Sequence, residues 1–170
     1  GGQVTLNDHA NILEVSGSSV SVNASTINLV NRSGFTADTG NVSIQSNLAS
    51  RELTVNMSGA GNNSFIVASQ GNVSFNGSSA GQITINNGGA GNTGLIAADG
   101  PGAAAGSGSI LFNGGTNPVN VDVFTLRGCI GGSGSVFNVT ASNFVHDGDS
   151  NTIGLGSITT AGNIDFSING

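Results

Sequence analysis

The chain has 170 residues, enough for one domain with a sizeable core, and a formal net charge of −6 from nine acidic and three basic side chains. The basic residues Arg32, Arg51 and Arg127 lie far apart, which excludes the clustered cations that a nucleic-acid interface requires. Cys129 is the single cysteine, so no internal disulfide forms, and no stretch approaches the roughly 18 apolar residues of a membrane-spanning helix.

Glycine (29 residues), Asn, Ser, Thr, Val, Ile and Phe dominate, whereas Trp, Tyr and Lys are absent. These are strand and turn residues, so an all-β chain is expected. Charged residues make up only 7% of the chain, and a disordered chain would in addition lack apolar residues. Here the hydrophobic share is 36%, and it falls in short alternating runs.

In chain order, the head GGQVTLNDHANILEV predicts two strands, one with Val4 and Leu6 and one around Ile12, Leu13 and Val15. A first unit follows with Val20 and Val22, then Ile27 and Leu29, then Phe35 and Ala37. GNVSI (40–44) opens a second, continued by Leu53, Val55 and Met57 and by a strand around Phe65 and Val67. GNVSF (71–75) opens a third, continued by Ile83 and Ile85 and by Leu95. The segment 98–109, ADGPGAAAGSGS, is expected to be a loop inserted at a corner. GSILF (108–112), GSVFN (134–138) and GNIDF (162–166) are further echoes of the opening phrase.

Aligned on its first inward residue, the phrase recurs at Val20, Val42, Val73, Ile110, Val136 and Ile164, spaced 22 to 37 residues apart. A period of this length without helical patterning points to a solenoid. Three short strands per unit, separated by Gly, Asn and Ser turns, predict a parallel β-helix of about six coils in one domain spanning 1–170. Each strand then pairs with its counterpart about 4.8 Å along the axis. Gly40, Gly71 and Gly162 are expected to hold corner backbone angles that a side chain would forbid. Asn41, Asn72 and Asn163 are expected to stack, their amides hydrogen-bonding along the axis.

The phrase G-N-I/V-x-φ, with three strands per coil and almost no cationic residues, resembles the repeats of bacterial filamentous-haemagglutinin-type adhesins over nearly the whole chain. The resemblance implies a right-handed parallel β-helix, secreted to the cell surface, with a structural or adhesive role. The tail from Ile164 and the head up to Val20 together make 26 residues (170 − 164 + 20), within the spacing of one coil. They are expected to be complementary partial coils, so that self, as head-to-tail copies or tandem repeats, is the expected partner. Surface glycans are a second partner class.

Catalytic constellations are sparse, and neither an enzyme nor a cofactor is expected. His9 follows Asp8 and His146 precedes Asp147, but both read as solvated turn residues. Asp147, Asp149 and Asn151 alternate like the start of a calcium loop. The later positions hold Thr152 and Ile158 where an EF-hand needs Gly and Glu, so a plain turn is favoured. Sequons at Asn23, Asn31, Asn41, Asn56, Asn62, Asn72, Asn76 and Asn138 are glycosylation acceptors in a host that decorates secreted chains. Threonine looks too irregular for an ice-binding ladder, with ITT at 158–160 the one suggestive run. A carbohydrate-binding or carbohydrate-cleaving β-helix of the tailspike kind is the alternative, although the lack of Trp and Tyr makes an aromatic groove hard to build.

Overall fold

The computed structural model of the chain describes residues 3–46, 52–58, 63–77, 82–86, 94–100, 108–115, 117–134, 137–145, 155–160 and 164–168. Among these residues the fold is all-β, with no helix. The strands are β1 (Gln3–Gly17), β2 (Val20–Asn23), β3 (Thr26–Ala37), β4 (Val42–Gln45), β5 (Leu53–Ser58), β6 (Phe65–Ala68), β7 (Val73–Asn76) and β8 (Ile83–Asn86). They continue as β9 (Leu95–Ala98), β10 (Ser109–Asn113), β11 (Val119–Arg127), β12 (Cys129–Gly134), β13 (Phe137–Val145), β14 (Leu155–Thr160) and β15 (Ile164–Ile168).

Every described pairing is parallel, and partners come from successive sequence repeats. One sheet has the order β14-β12-β10-β7-β4-β2; the other runs β15-β13-β11-β8-β5-β3-β6-β9, with β1 on β3 and a further pairing of β11 with β9. The registers line up like residues in three columns. The first holds Val20, Val42, Val73, Ile110, Ile130 and Leu155. The second holds Val4, Ile27, Val55, Ile85, Val121, Val139 and Phe166. The third holds Val15, Phe35, Ile66, Ile96, Leu126 and Phe144.

Alternation decides which face is buried. In β2 and β10 the pattern of buried and exposed residues has a period of two, as a strand with one dry face requires. The dry faces converge on one core, in which Ile27, Ile44, Val55, Ile66, Phe75, Ile85 and Phe112 are fully buried. Phe75 and Phe112 stack with ring centroids 5.0 Å apart and planes 6° from parallel. Each such side chain contributes about 1.5–3 kcal/mol through burial, set against the entropy of ordering the chain.

Four expectations need correction. Three strands per repeat occur in β4–β6 and β7–β9, but β3 and β11 each run through the second and third columns as one long strand. The pairings of the larger sheet therefore close on themselves along β3–β5–β8–β11–β9–β6. Where β3 passes between columns, Asn31 has φ 64°, a left-handed angle that Asn tolerates better than most residues. Second, the fifth and sixth members of the first column are Ile130 and Leu155. Val136 falls outside the described residues, and Ile164 pairs with Phe137 in the second-column strands.

Third, Phe65, Val67 and Leu95 face outward and are half-buried, while Ile66, Ala68 and Ile96 point into the core. FIVA and LIAA are apolar at every position, so alternation offers no contrast by which to phase them. Fourth, β15 and the Gln3–Asp8 part of β1 both belong to the second-column strands. Tail and head thus repeat one strand position rather than dividing a coil between them.

Candidate functional surface

At the corner before each first-column strand, the chain must satisfy backbone groups that have left the sheet ladder. Asn41 Oδ1 accepts the backbone N–H of Asn72 at 2.9 Å, and Asn72 Oδ1 accepts the N–H of Ser109 at 2.8 Å. The backbone carbonyls of Asn41 and Asn72 accept from Val20 and Val42, each at 3.0 Å. Asn41 and Asn72 stand at successive levels, and each caps backbone of the next repeat instead of bonding amide to amide. Ser109 takes the third position, a role the sequence comparison did not assign it. Asn163 and Gly162 lie outside the described residues.

The corner glycines serve a different purpose from the one expected. The positive φ values belong to Gly100, Gly115 and Gly128, not to Gly40 or Gly71. A Cβ on Gly71 would come within 2.1 Å of the Gly40 carbonyl oxygen, and a Cβ on Gly108 within 2.4 Å of the Gly71 oxygen. Close stacking of backbone on backbone excludes side chains here. The inserted segment leaves and returns at this corner: Gly100 N–H donates to Gly71 O at 3.2 Å and Gly108 N–H to Ala98 O at 3.0 Å. Arg127 holds the exit with two bonds to Asp99, Nε to Oδ1 at 2.7 Å and an Nη2 bond to Oδ2 at 2.8 Å. Residues 101–107 lie outside the described set.

A second ladder, not anticipated from the sequence, runs up the outer face of the second-column strands. Asn86 Nδ2 donates to Asn56 Oδ1 at 2.9 Å, Asn56 Nδ2 to Asn28 Oδ1 at 2.8 Å, and Asn28 Nδ2 to Thr5 Oγ1 at 3.2 Å. Beside it Thr26, Thr54 and Thr84 are stacked in register, so threonine is more regular than the sequence reading allowed. The signal was present in TIN (26–28), TVN (54–56) and TIN (84–86), each a polar, apolar, polar triplet.

On the outer face of the smaller sheet lies an open depression of about 410 Å³, lined by Asn41, Ser43, Asn72, Ser74, Ser109 and Leu111. Ser74 Oγ donates to Ser43 Oγ at 3.3 Å. Leu111 follows Ser43 and Ser74 in register and is 44% exposed. A smaller depression of about 210 Å³ lies between Glu52, Thr54, Gln82 and Thr84.

Of the sequons, Asn41, Asn56 and Asn72 are committed to the ladders; Asn23 is exposed, and Asn31 and Asn76 are half-buried. Asn62, Asp147, Asp149, Asn151, His146 and Arg51 lie outside the described residues, as do the side chains of His9, Cys129 and Asn138. Among the described residues no group of three or more His, Cys, Asp or Glu is placed to hold a metal ion. No helix among them is long and apolar enough to cross a membrane. The two ladders thus offer neutral hydrogen bonding in regular rows. No family model matches the chain, and neither does any curated protein or any solved structure.

Proposed function

We propose that the chain is a right-handed parallel β-helix of about six coils that serves as a non-enzymatic, extracellular structural or adhesive element at a cell surface. The in-register stacking of like residues in three parallel columns carries this reading. A chain wound once per repeat puts each residue above its counterpart, and the hydrogen bonds then run along one axis. Such a rod is stiff and extends by adding coils. The repeat phrase G-N-V-S-φ and its resemblance to filamentous-haemagglutinin-type repeats support secretion and a surface role.

The partner in this reading is a second copy, or further coils of a longer chain. Among the described strands, β1, β2, β14 and β15 pair on one side only, which leaves rows of N–H and C=O groups able to accept another strand. A contact of this heterologous kind that does not close gives an open filament. No cofactor enters the proposal. The test is negative-stain microscopy of concentrated, purified chain, joined to X-ray diffraction from aligned samples. Filaments with a meridional reflection near about 4.8 Å are expected. Dispersed globular particles without that reflection overturn the proposal.

A further inference from the structure

The depression on the smaller sheet is made of two outward rows at three successive levels. One row is Asn41, Asn72 and Ser109; the other is Ser43, Ser74 and Leu111. Levels are about 4.8 Å apart and the rows about 7 Å apart, so the patch measures roughly 7 by 10 Å. We infer that this patch binds a neutral carbohydrate, one or two pyranose rings of a longer glycan.

Fixed donors, an apolar contact, the charge of the lining and the size of the depression carry the inference. The carboxamides of Asn41 and Asn72 are fixed in orientation, because each Oδ1 is held by a backbone N–H at 2.9 and 2.8 Å. That leaves both Nδ2 groups, which have no partner among the described residues, as preset donors on neighbouring levels. Ser43 Oγ already accepts from Ser74 and retains its own O–H to donate. Sugar hydroxyl and ring oxygens accept such bonds, and donors ordered in advance lower the entropy cost of binding.

Leu111 supplies the complementary element. It is one of two large hydrophobic side chains exposed among the described residues, in a row otherwise occupied by Ser43 and Ser74. A pyranose presents C–H groups on one face and hydroxyls at its rim, so it covers Leu111 while its oxygens reach the donors. No charged side chain lines the depression, and the chain carries a net charge of −6, which disfavours acidic sugars. The volume of about 410 Å³ lies in the range of small-ligand sites. Without an aromatic platform, affinity of a single site is in the millimolar range, on the order of 1 mM.

The inference rests on the proposed surface role only for the source of the glycan, and the two fail separately. The test is an NMR titration of the whole chain with neutral trisaccharides of glucose, galactose and N-acetylglucosamine, beside a trisaccharide containing sialic acid. The Leu111 methyls and the side-chain amino groups of Asn41 and Asn72 are expected to shift with at least one neutral sugar and not with the acidic one. Leu111→Ser, a surface change, is expected to weaken binding at least about fivefold. Asn72→Asp keeps the oxygen that accepts the Ser109 N–H but removes the amino donor, and is expected to weaken binding to a similar extent while the backbone spectrum persists.

Absence of shifts at this face in a folded chain overturns the inference, as does equal binding by Leu111→Ser. Preference for the acidic sugar also overturns it. So do shifts at Leu111 that follow protein concentration rather than sugar, because the face then docks a second copy. Filaments without sugar shifts would leave the structural proposal standing; sugar shifts without filaments would leave the binding site standing.

Discussion

The two asparagine ladders use one residue type at one kind of interval, a single repeat, yet solve different problems. At the corner, Asn41 and Asn72 lend side-chain oxygens to backbone N–H groups of the following repeat. On the strand face, the side chains of Asn28, Asn56 and Asn86 bond, among the described residues, only to one another and to Thr5, because the sheet ladder already pairs their backbone. The corner requires an acceptor alone; in the strand ladder Asn28 and Asn56 must each both donate and accept. The first completes the accounting of backbone groups, whereas the second adds to pairs that already exist.

The corner is the more demanding of the two, and the largest effect is expected there. Gly71→Ala places a methyl group 2.1 Å from the Gly40 oxygen and 2.5 Å from its carbonyl carbon, both backbone atoms that cannot swing aside. A loss of about 3 kcal/mol is expected, read as a lower urea midpoint. Gly17→Ala is the control, since the nearest atom to its Cβ is Ser19 O at an ordinary 3.5 Å. Equal stability of the two variants would show that the corner has room and that the glycine phrase has another cause.

Next in size is the removal of a corner oxygen. Asn72→Ala leaves the Ser109 N–H without its partner, and about 1 kcal/mol is expected to be lost, because exposed Ser109 falls back on water. Asn72→Asp keeps the acceptor and is expected to stay within about 0.5 kcal/mol of the parent. On the strand face the same change has the opposite outcome. Asn56→Asp turns a donor toward Asn28 Oδ1 into an acceptor, so two oxygens meet where a 2.8 Å bond had been. A loss of about 1 kcal/mol is expected at neutral pH, and it shrinks as acid protonates the new carboxyl and restores a donor. If aspartate is tolerated equally at 56 and 72, the distinction between the ladders fails.

Much of this architecture was legible in the sequence, for reasons specific to particular residues. Val20, Val42, Val73 and Ile110 could be aligned because each follows a small polar turn, and the three valines also alternate with polar neighbours. That contrast is missing from FIVA and LIAA, and there the phase slipped by one. The cue of a leading glycine also misled. GNIDF looks like GNVSF, yet Ile164 stands in the second-column strands, while Cys129 and Ile130, with no such phrase, continue the first sheet. The surface was harder to read. Which Asn oxygen meets a backbone N–H depends on the path of the corner, and the exposure of Leu111 depends on a register that no local pattern reveals. Sequence spacing located the corner glycines, but the cause, contact between backbones rather than unusual φ, is a fact of three dimensions.

The smallest expected effect is the most searching test of the comparison. In a double-mutant cycle of Asn28→Ala and Asn56→Ala, each single change breaks the bond that joins them, at 2.8 Å. Their backbones remain paired in the sheet, so each variant should lose only about 0.5 kcal/mol, with coupling between them of similar size. The matching cycle of Asn28→Ala and Asn72→Ala should show coupling near zero, since Asn28 lies in β3 and Asn72 at the corner before β7, and the two share no partner. Coupling at 28 and 56 that equalled the whole loss of either single variant would mean that the amides act only through one another. Coupling absent there would mean that solvent replaces the interamide bond at no cost, and the strand ladder would then be a consequence of stacking rather than a contributor to it. Separating those outcomes decides whether neutral polar rows on such a sheet are a source of stability or a surface left free for binding.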